Sequence, residues 1–251
     1  IIKWKQGATT GRILAGGNGR GNREDQLNRP VVVTIDYYTD SLIIADYGNR
    51  RVMRWPRRNA QTGEILISNV QCSGLALGSN GELYVADDEK DEVQRWKIGD
   101  SEGVLVAGGN ERGDQLNQLN QPRYIFVDEH DSIYISDYSN HRVVKWTKGA
   151  REGTIVAGGH GYGNSLTQLN RPNGIFVDQF ESIFVADSWN NRVVRWLKGS
   201  NKGEILVGGN GEGNQSNQFN IPVDLSFDED NNLYIVEYGN HRVQKFSSIE
   251  L

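Results

Sequence analysis

Four stretches of the chain could do phosphate chemistry by type and spacing. They are GGNGRGNREDQLNRP (Gly16–Pro30), GGNERGDQLNQLNQP (Gly108–Pro122), GGHGYGNSLTQLNRP (Gly158–Pro172) and GGNGEGNQSNQFNIP (Gly208–Pro222). Glycine-rich loops cradle phosphates when a helix N-terminus follows, because free amides and the helix dipole then face the anion. Here each loop runs through Gln-Leu/Phe-Asn-x-Pro into an apolar, strand-like segment, and none ends in Gly-Lys-Ser/Thr. The reading is therefore of a structural turn. Glycines supply positive φ, asparagines bond the local backbone, and Leu27, Leu119, Leu169 and Phe219 pin the loops to the body.

A second constellation pairs acid with base. Asp46/Arg51, Asp137/Arg142 and Asp187/Arg192 recur five residues apart, with Glu237/Arg242 in the same frame. An aspartate there satisfies turn amides and pairs with the arginine across a hairpin. A residue repeated in every unit serves the unit, so these pairs are read as scaffold.

The four histidines, His130, His141, His160 and His241, have no local zinc spacing, and a lone cysteine, Cys72, excludes a thiolate cluster and an intrachain disulfide. No Gly-x-Ser-x-Gly elbow is present. No metal site and no cofactor is expected. Asn214-Gln-Ser216 is a glycosylation sequon that matters only in a secreted protein.

The elements that would position these residues are short. Lys/Arg followed by an aromatic ring recurs at Trp4, Trp55, Trp96, Trp146, Trp196 and Phe246, spaced by 51, 41, 50, 50 and 50 residues. Between these marks lie apolar runs such as PNGIFVD, SIFVAD, NRVVRW and GEILVGG, bounded by Gly, Asn, Asp and Pro. They read as four strands per unit, the pattern of a β-propeller blade. The tryptophans should pack between blades, and the preceding basic residues should lie on the opposite strand face.

The unit RPNGIFVDQFESIFVADSWNNRVVRW resembles the NHL repeat, carried by Pro172, Gly174, Ala186, Asp187, Asn190, Arg192, Val193 and Trp196. The same frame returns from Pro30 to Trp55, from Pro122 to Trp146 and from Pro222 to Phe246. The resemblance covers essentially the whole chain. It implies an all-β, NHL-type propeller in one domain, residues 1–251. Strand counting gives either six blades, with an incomplete N-terminal blade, or five; six is the preferred expectation. The resemblance also implies an interaction platform for proteins, in some relatives for RNA, and in a few a metal-dependent lyase working in the central channel.

The odd unit is where the symmetry breaks. SNVQC (Ser68–Cys72) replaces the glycine loop, and the next loop on the same side reads DDEKDE (Asp87–Glu92). Asymmetry on a loop-bearing face marks a binding region. Asp87, Asp88, Glu89, Asp91 and Glu92 are therefore expected to form an acidic edge for a basic partner. Tyr47, Tyr138, Tyr162, Trp189 and Tyr238 are candidate anchors, since Tyr and Trp dominate binding hot spots.

The 251 residues carry a net charge of −5, which points away from nucleic acid. A local basic face around Arg20, Arg23, Arg29, Arg50 and Arg51 keeps an RNA reading alive. The first strands offer Val31, Ser73, Arg123, Asn173 and Val223-Asp224 to the channel, without histidine, which weakens the lyase or hydrolase reading. No apolar run approaches the ~20 residues needed to span a bilayer. IIKWKQG has no signal-peptide core, and secretion stays open because Ile1 need not be the native start. The leading expectation is a non-enzymatic module that binds a protein partner through one face; oligomeric state and compartment are not indicated.

Overall fold

Valine, isoleucine and aromatic residues at alternating positions favour a pleated strand buried on both faces. Among the described residues the chain forms 21 strands, most of them of this kind. The computed structural model describes residues 1–58, 60–247 and 249. Blade 1 holds β3 (Pro30–Asp36), β4 (Ser41–Asp46), β5 (Arg51–Pro56) and β6 (Glu64–Ser68). Blade 2 holds β7 (Cys72–Leu77), β8 (Leu83–Asp87), β9 (Glu92–Trp96) and β10 (Val104–Gly108). Blade 3 runs through β11 (Pro122–Val127), β12 (Ile133–Asp137), β13 (Arg142–Trp146) and β14 (Thr154–Gly158). Blade 4 runs through β15 (Pro172–Val177), β16 (Ile183–Asp187), β17 (Arg192–Trp196) and β18 (Glu204–Gly208). Blade 5 holds β19 (Pro222–Phe227), β20 (Leu233–Glu237) and β21 (Arg242–Phe246). Every pairing is antiparallel between sequence neighbours, and the first strands of successive blades lie side by side around the centre.

The protein is thus an all-β propeller of five blades, four of them four-stranded and the last three-stranded. The incomplete sixth blade expected at the N-terminus is not confirmed as a blade. β1 (Ile2–Lys3) and β2 (Arg12–Ile13) make a separate two-stranded ribbon that packs on blade 1 through Ile1, Leu14 and Ala15. Among the described residues no first or second strand joins that ribbon.

Alternation within each second strand couples the blades. In β4, Ile43 and Ala45 pack towards blade 2, while Leu42 and Ile44 pack towards the ribbon. Tyr84 and Ala86 of blade 2 meet Ile133, Val144 and Trp146 of blade 3 in one cluster. Tyr134 of blade 3 meets Ile183, Val194 and Trp196 of blade 4 in the next. Each such fully buried large side chain contributes about 1.5–3 kcal/mol, so the interfaces, rather than the single sheets, hold the fold. Trp55, Trp146 and Trp196 are buried as expected, and Trp96 is half-buried. Trp4 departs from its siblings at 59% exposed, because it faces blade 5 across an open cavity lined by Val236 and Val243 and, among the described residues, no blade packs directly against it.

Candidate functional site

The repeated acid–base pairs build the loop-bearing face. Asp46, Asp137 and Asp187 are completely buried, and each accepts a 2.7 Å bond from the Nε of its arginine, Arg51, Arg142 or Arg192. Their other oxygens accept the amides of Asn28 (2.6 Å), Asn120 (2.7 Å) and Asn170 (2.7 Å). The guanidinium then reaches back to loop carbonyls. Arg192 donates to Asn164 O (2.7 Å), Ser165 O (3.1 Å) and Gln168 O (3.2 Å). The glycine loops therefore turn carbonyls inward onto an arginine. A single residue of each also bridges to its pinning side chain's position, as Tyr162 does to Leu169 and Glu212 to Phe219. This geometry explains blade 2. Its entry segment lacks the glycine loop, so no arginine is needed, and Glu92 stands at that place.

A second repeated device staples blades together. Residues 50, 91, 141, 191 and 241 all adopt left-handed backbone, φ between 51° and 55°. From there His141 Nδ1 accepts the Arg171 amide (3.1 Å), Asn191 Oδ1 accepts the Ile221 amide (2.9 Å), and Asp91 Oδ1 accepts the Gln121 amide (2.7 Å). His141 must be neutral to accept, and burial followed by the Arg171 charge lowers its pKa accordingly.

On this frame sits an arc of rings and charges at the mouth of the channel. The Arg29 guanidinium lies 5.7 Å from the Tyr47 ring. Tyr47 Oη donates to Asp88 (3.3 Å), and Gln71 Nε2 donates to both Tyr47 Oη and Asp88 Oδ1, each at 3.1 Å. Arg123 approaches Asp88 at 3.8 Å and lies 5.0 Å from the Tyr138 ring. Arg171 lies 5.6 Å from that same ring and 4.3 Å from the ring of Trp189. Trp189 is 52% exposed. The Arg123 Nε is buried and finds no hydrogen-bond acceptor among the described residues, a desolvation cost that the fold leaves uncompensated. Burial raises the Asp88 pKa, against the Gln71 bond, the Arg123 charge and the Tyr47 bond.

The acidic segment is not one continuous edge. Asp87 is buried and caps the amides of Glu89 (3.0 Å) and Lys90 (3.2 Å). Asp91 is buried between the Gln121 amide and Arg112 Nε (2.8 Å). Glu92 is half-buried, with Gln94 donating to it at 2.8 Å, and Glu89 is ion-paired with Arg50. Of the five acids, Asp88 alone joins the arc directly, with Glu89 beside it through Arg50. Tyr47, Tyr138 and Trp189 also converge there. Tyr162 stands apart over His141, ring centroids 5.8 Å away, and Tyr238 stands apart beside His241 at 6.4 Å. Sequence reasoning gave no role to Arg171 and Gln71; the residue before each first strand, aligned across units, was the signal that pointed to them.

Below the mouth the innermost strands carry Tyr124 and Asp224. Gly174 leaves room for Asp224, since a Cβ there would sit 2.6 Å from the Asp224 Cα and carboxylate. Burial pushes the Asp224 carboxyl up to about 7, although the Leu225 amide donates to it at 2.9 Å. Burial and then the Asp224 charge raise the Tyr124 hydroxyl well above its usual range. Among the described residues no three His, Cys, Asp or Glu side chains are gathered as a metal site, and no helix is long and apolar enough to cross a membrane.

Radial four-stranded blades around a channel define a β-propeller. A family model of the NHL repeat matches residues 219–246, the fifth blade with its entry segment. The same residue frame recurs in blades 1, 3 and 4, so the chain is a β-propeller with NHL-type repeats, one of which, in blade 5, the family model matches. No curated protein sequence matches it. Among solved structures it is similar to a gluconolactonase from Xanthomonas campestris, 16% identical over 90% of this chain and 75% of that one, TM-score 0.71. It is also similar to an auxiliary nutrient binding protein from Bacteroides thetaiotaomicron, 18% identical over 90% and 60%, TM-score 0.71. A virginiamycin B lyase from Staphylococcus aureus is 13% identical over 93% and 75%, TM-score 0.57. At these identities the likeness is one of fold. The chain spans about three fifths of the length of the nutrient binding proteins it resembles.

Proposed function

We propose that the chain is a non-enzymatic binding module that takes a protein partner on the loop-bearing face, with the arc from Tyr47 to Trp189 as its centre. The observation that carries this is the Arg171 guanidinium stacked at 4.3 Å on an exposed Trp189, next to an Arg123 whose Nε lacks an acceptor. Rigid aromatic and arginine side chains are the favoured anchors of protein interfaces. Held flat against rings, they lose little entropy on binding. Asp88 and Glu89 already hold arginines, so the arc offers its donors and rings to acidic or polar groups of the partner. Proteins captured from the native source by wild type should be lost with Trp189→Ala and Arg171→Ala and kept with Tyr37→Ala, which lies outside the arc. Identical capture by all four proteins would refute the reading.

A second reading rests on Asp224. A half-buried carboxyl titrating at about 7 inside the channel is poised for general acid–base work. Lactone opening is its first test, given the gluconolactonase of like fold. Proton release from a lactone panel that is lost in Asp224→Asn would support it, and equal rates with both proteins would remove it.

A further inference from the structure

Three staples join successive blades, and one of them is built with an imidazole. Asp91, His141 and Asn191 occupy the same left-handed position. Each side chain accepts the amide of the residue just before the next blade's first strand, Gln121, Arg171 and Ile221. Those three donors are themselves left-handed, at φ 54°, 55° and 51°, a backbone that non-glycine residues hold only under constraint. Asn191 carries no titrating group, and Asp91 accepts as the partner of Arg112 at 2.8 Å. The histidine falls at the one staple of the three whose donor residue also belongs to the arc. From the amide that His141 holds, Arg171 sets its guanidinium 4.3 Å from the Trp189 ring and 5.6 Å from the Tyr138 ring.

We propose that His141 gates the arc by pH: the neutral ring holds Arg171 on Trp189, and the protonated ring releases it. The proposal rests on the arc being the binding centre and names how that centre is regulated. Nδ1 accepts with its lone pair at 3.1 Å, so the neutral ring carries its proton on Nε2. A second proton goes onto Nδ1. It turns the acceptor into a donor against the Arg171 N–H and sets a cation facing the Arg171 guanidinium. The bond is lost, and with it the restraint that keeps Arg171 left-handed and its side chain on the rings. The groups that face the imidazole are Arg171, from the entry to blade 4, and the Tyr162 ring of the glycine loop, 5.8 Å between centroids. Asp137 and Arg142 beside it pair with one another at 2.7 Å. Burial and then the Arg171 charge set His141 below its ordinary value of 6.5. The arc is therefore assembled at neutral pH and opens in mild acid.

Nuclear magnetic resonance of the full chain reads the gate with no partner present. The Arg171 amide and the Trp189 indole N–H, the latter assigned with Trp189→Phe, should shift between pH 8 and pH 5. Their midpoint should be that of the His141 ring, below 6.5. Both signals should stay flat in His141→Asn, which keeps an acceptor and cannot titrate. At pH 5 the Arg171 amide should exchange about tenfold or more faster in wild type than in that variant. Capture of proteins from the native source should be equal for the two at pH 8 and survive at pH 5 only in His141→Asn. The gate is overturned if the Arg171 and Trp189 signals do not follow the His141 titration, or if they titrate equally in His141→Asn. It is also overturned if wild type captures equally at both pH values while Trp189→Ala captures nothing. A titration confined to wild type, together with capture indifferent to Trp189→Ala, supports the gate and refutes only the binding reading.

Discussion

Arg192→Met separates a buried scaffold pair from a surface one. The substitution keeps the apolar stem and removes four bonds, to Asp187 (2.7 Å), Asn164 (2.7 Å), Ser165 (3.1 Å) and Gln168 (3.2 Å). Asp187 has no exposed surface and keeps only Asn190 and the Asn170 amide as donors. An uncompensated buried charge of this kind costs about 3–5 kcal/mol, a large part of the ~5–15 kcal/mol that holds a typical domain. The loop carbonyls are close to solvent and recover part of their bonding from water, so the charge dominates. Urea unfolding followed by tryptophan emission should show a large fall in midpoint, with faster amide exchange across residues 159–170. Arg23→Met removes a pair with Asp25 of nearly the same length, 2.8 Å, but on an exposed side chain, and should leave the midpoint within error. Adding Asp187→Asn to Arg192→Met should recover stability, because the stranded charge is gone. Equal midpoints for Arg192→Met and Arg23→Met would refute the assignment of these pairs as the frame of the face.

Two further outcomes follow from titrating groups. Asp224 has its folded pKa raised to about 7, so its stabilising contribution is complete below about pH 4 and is lost as pH rises towards 7; Asp224→Asn should match wild type at pH 4 and exceed it at pH 8 in urea midpoint. His141 has its folded pKa lowered, so stability is lost as pH falls through its ordinary value of 6.5. His141→Asn, which copies the Asn191 acceptor of the next blade, should equal wild type at pH 8 and outlast it at pH 5.

Much of the frame was legible because it repeats. The five-residue Asp–Arg interval and the four pinned loops were visible in the sequence, and so was the loss of one loop at Ser68–Cys72. What was not legible depends on neighbours distant in sequence. Trp4 has the same local motif as Trp146, yet one is exposed and the other buried, because burial is conferred by the adjoining blade. The five acids of DDEKDE look alike in composition, but left-handed backbone at Asp91 aims that carboxylate at the Gln121 amide of the next blade. Arg171 finds Trp189 only because its own backbone, at φ 55°, is held by His141 across a blade boundary.

The departures from the repeat in blade 2 and on the facing strand of blade 3 are of two kinds. Glu92 in place of arginine follows from the absent loop: with no carbonyls to gather, a buried guanidinium there would have lacked acceptors. Asp91 keeps the stapling role of His141 and Asn191 with a different acceptor. Both changes are accounted for by packing, and neither asks for a ligand. Asp88, Gln71 and Arg123 are not accounted for in that way. Their siblings are tyrosine or serine at the Asp88 position, arginine, isoleucine or (at 121) glutamine at the Gln71 position, and valine, serine or asparagine at the Arg123 position, and the blades close equally well with those. A buried carboxylate, the glutamine that bonds it and an arginine with an unmatched Nε cost desolvation that the frame does not require. On the proposed reading a partner offsets this cost, so Arg123→Ala should weaken capture of the partner alongside Trp189→Ala and Arg171→Ala, and unchanged capture by Arg123→Ala would remove Arg123 from the binding surface.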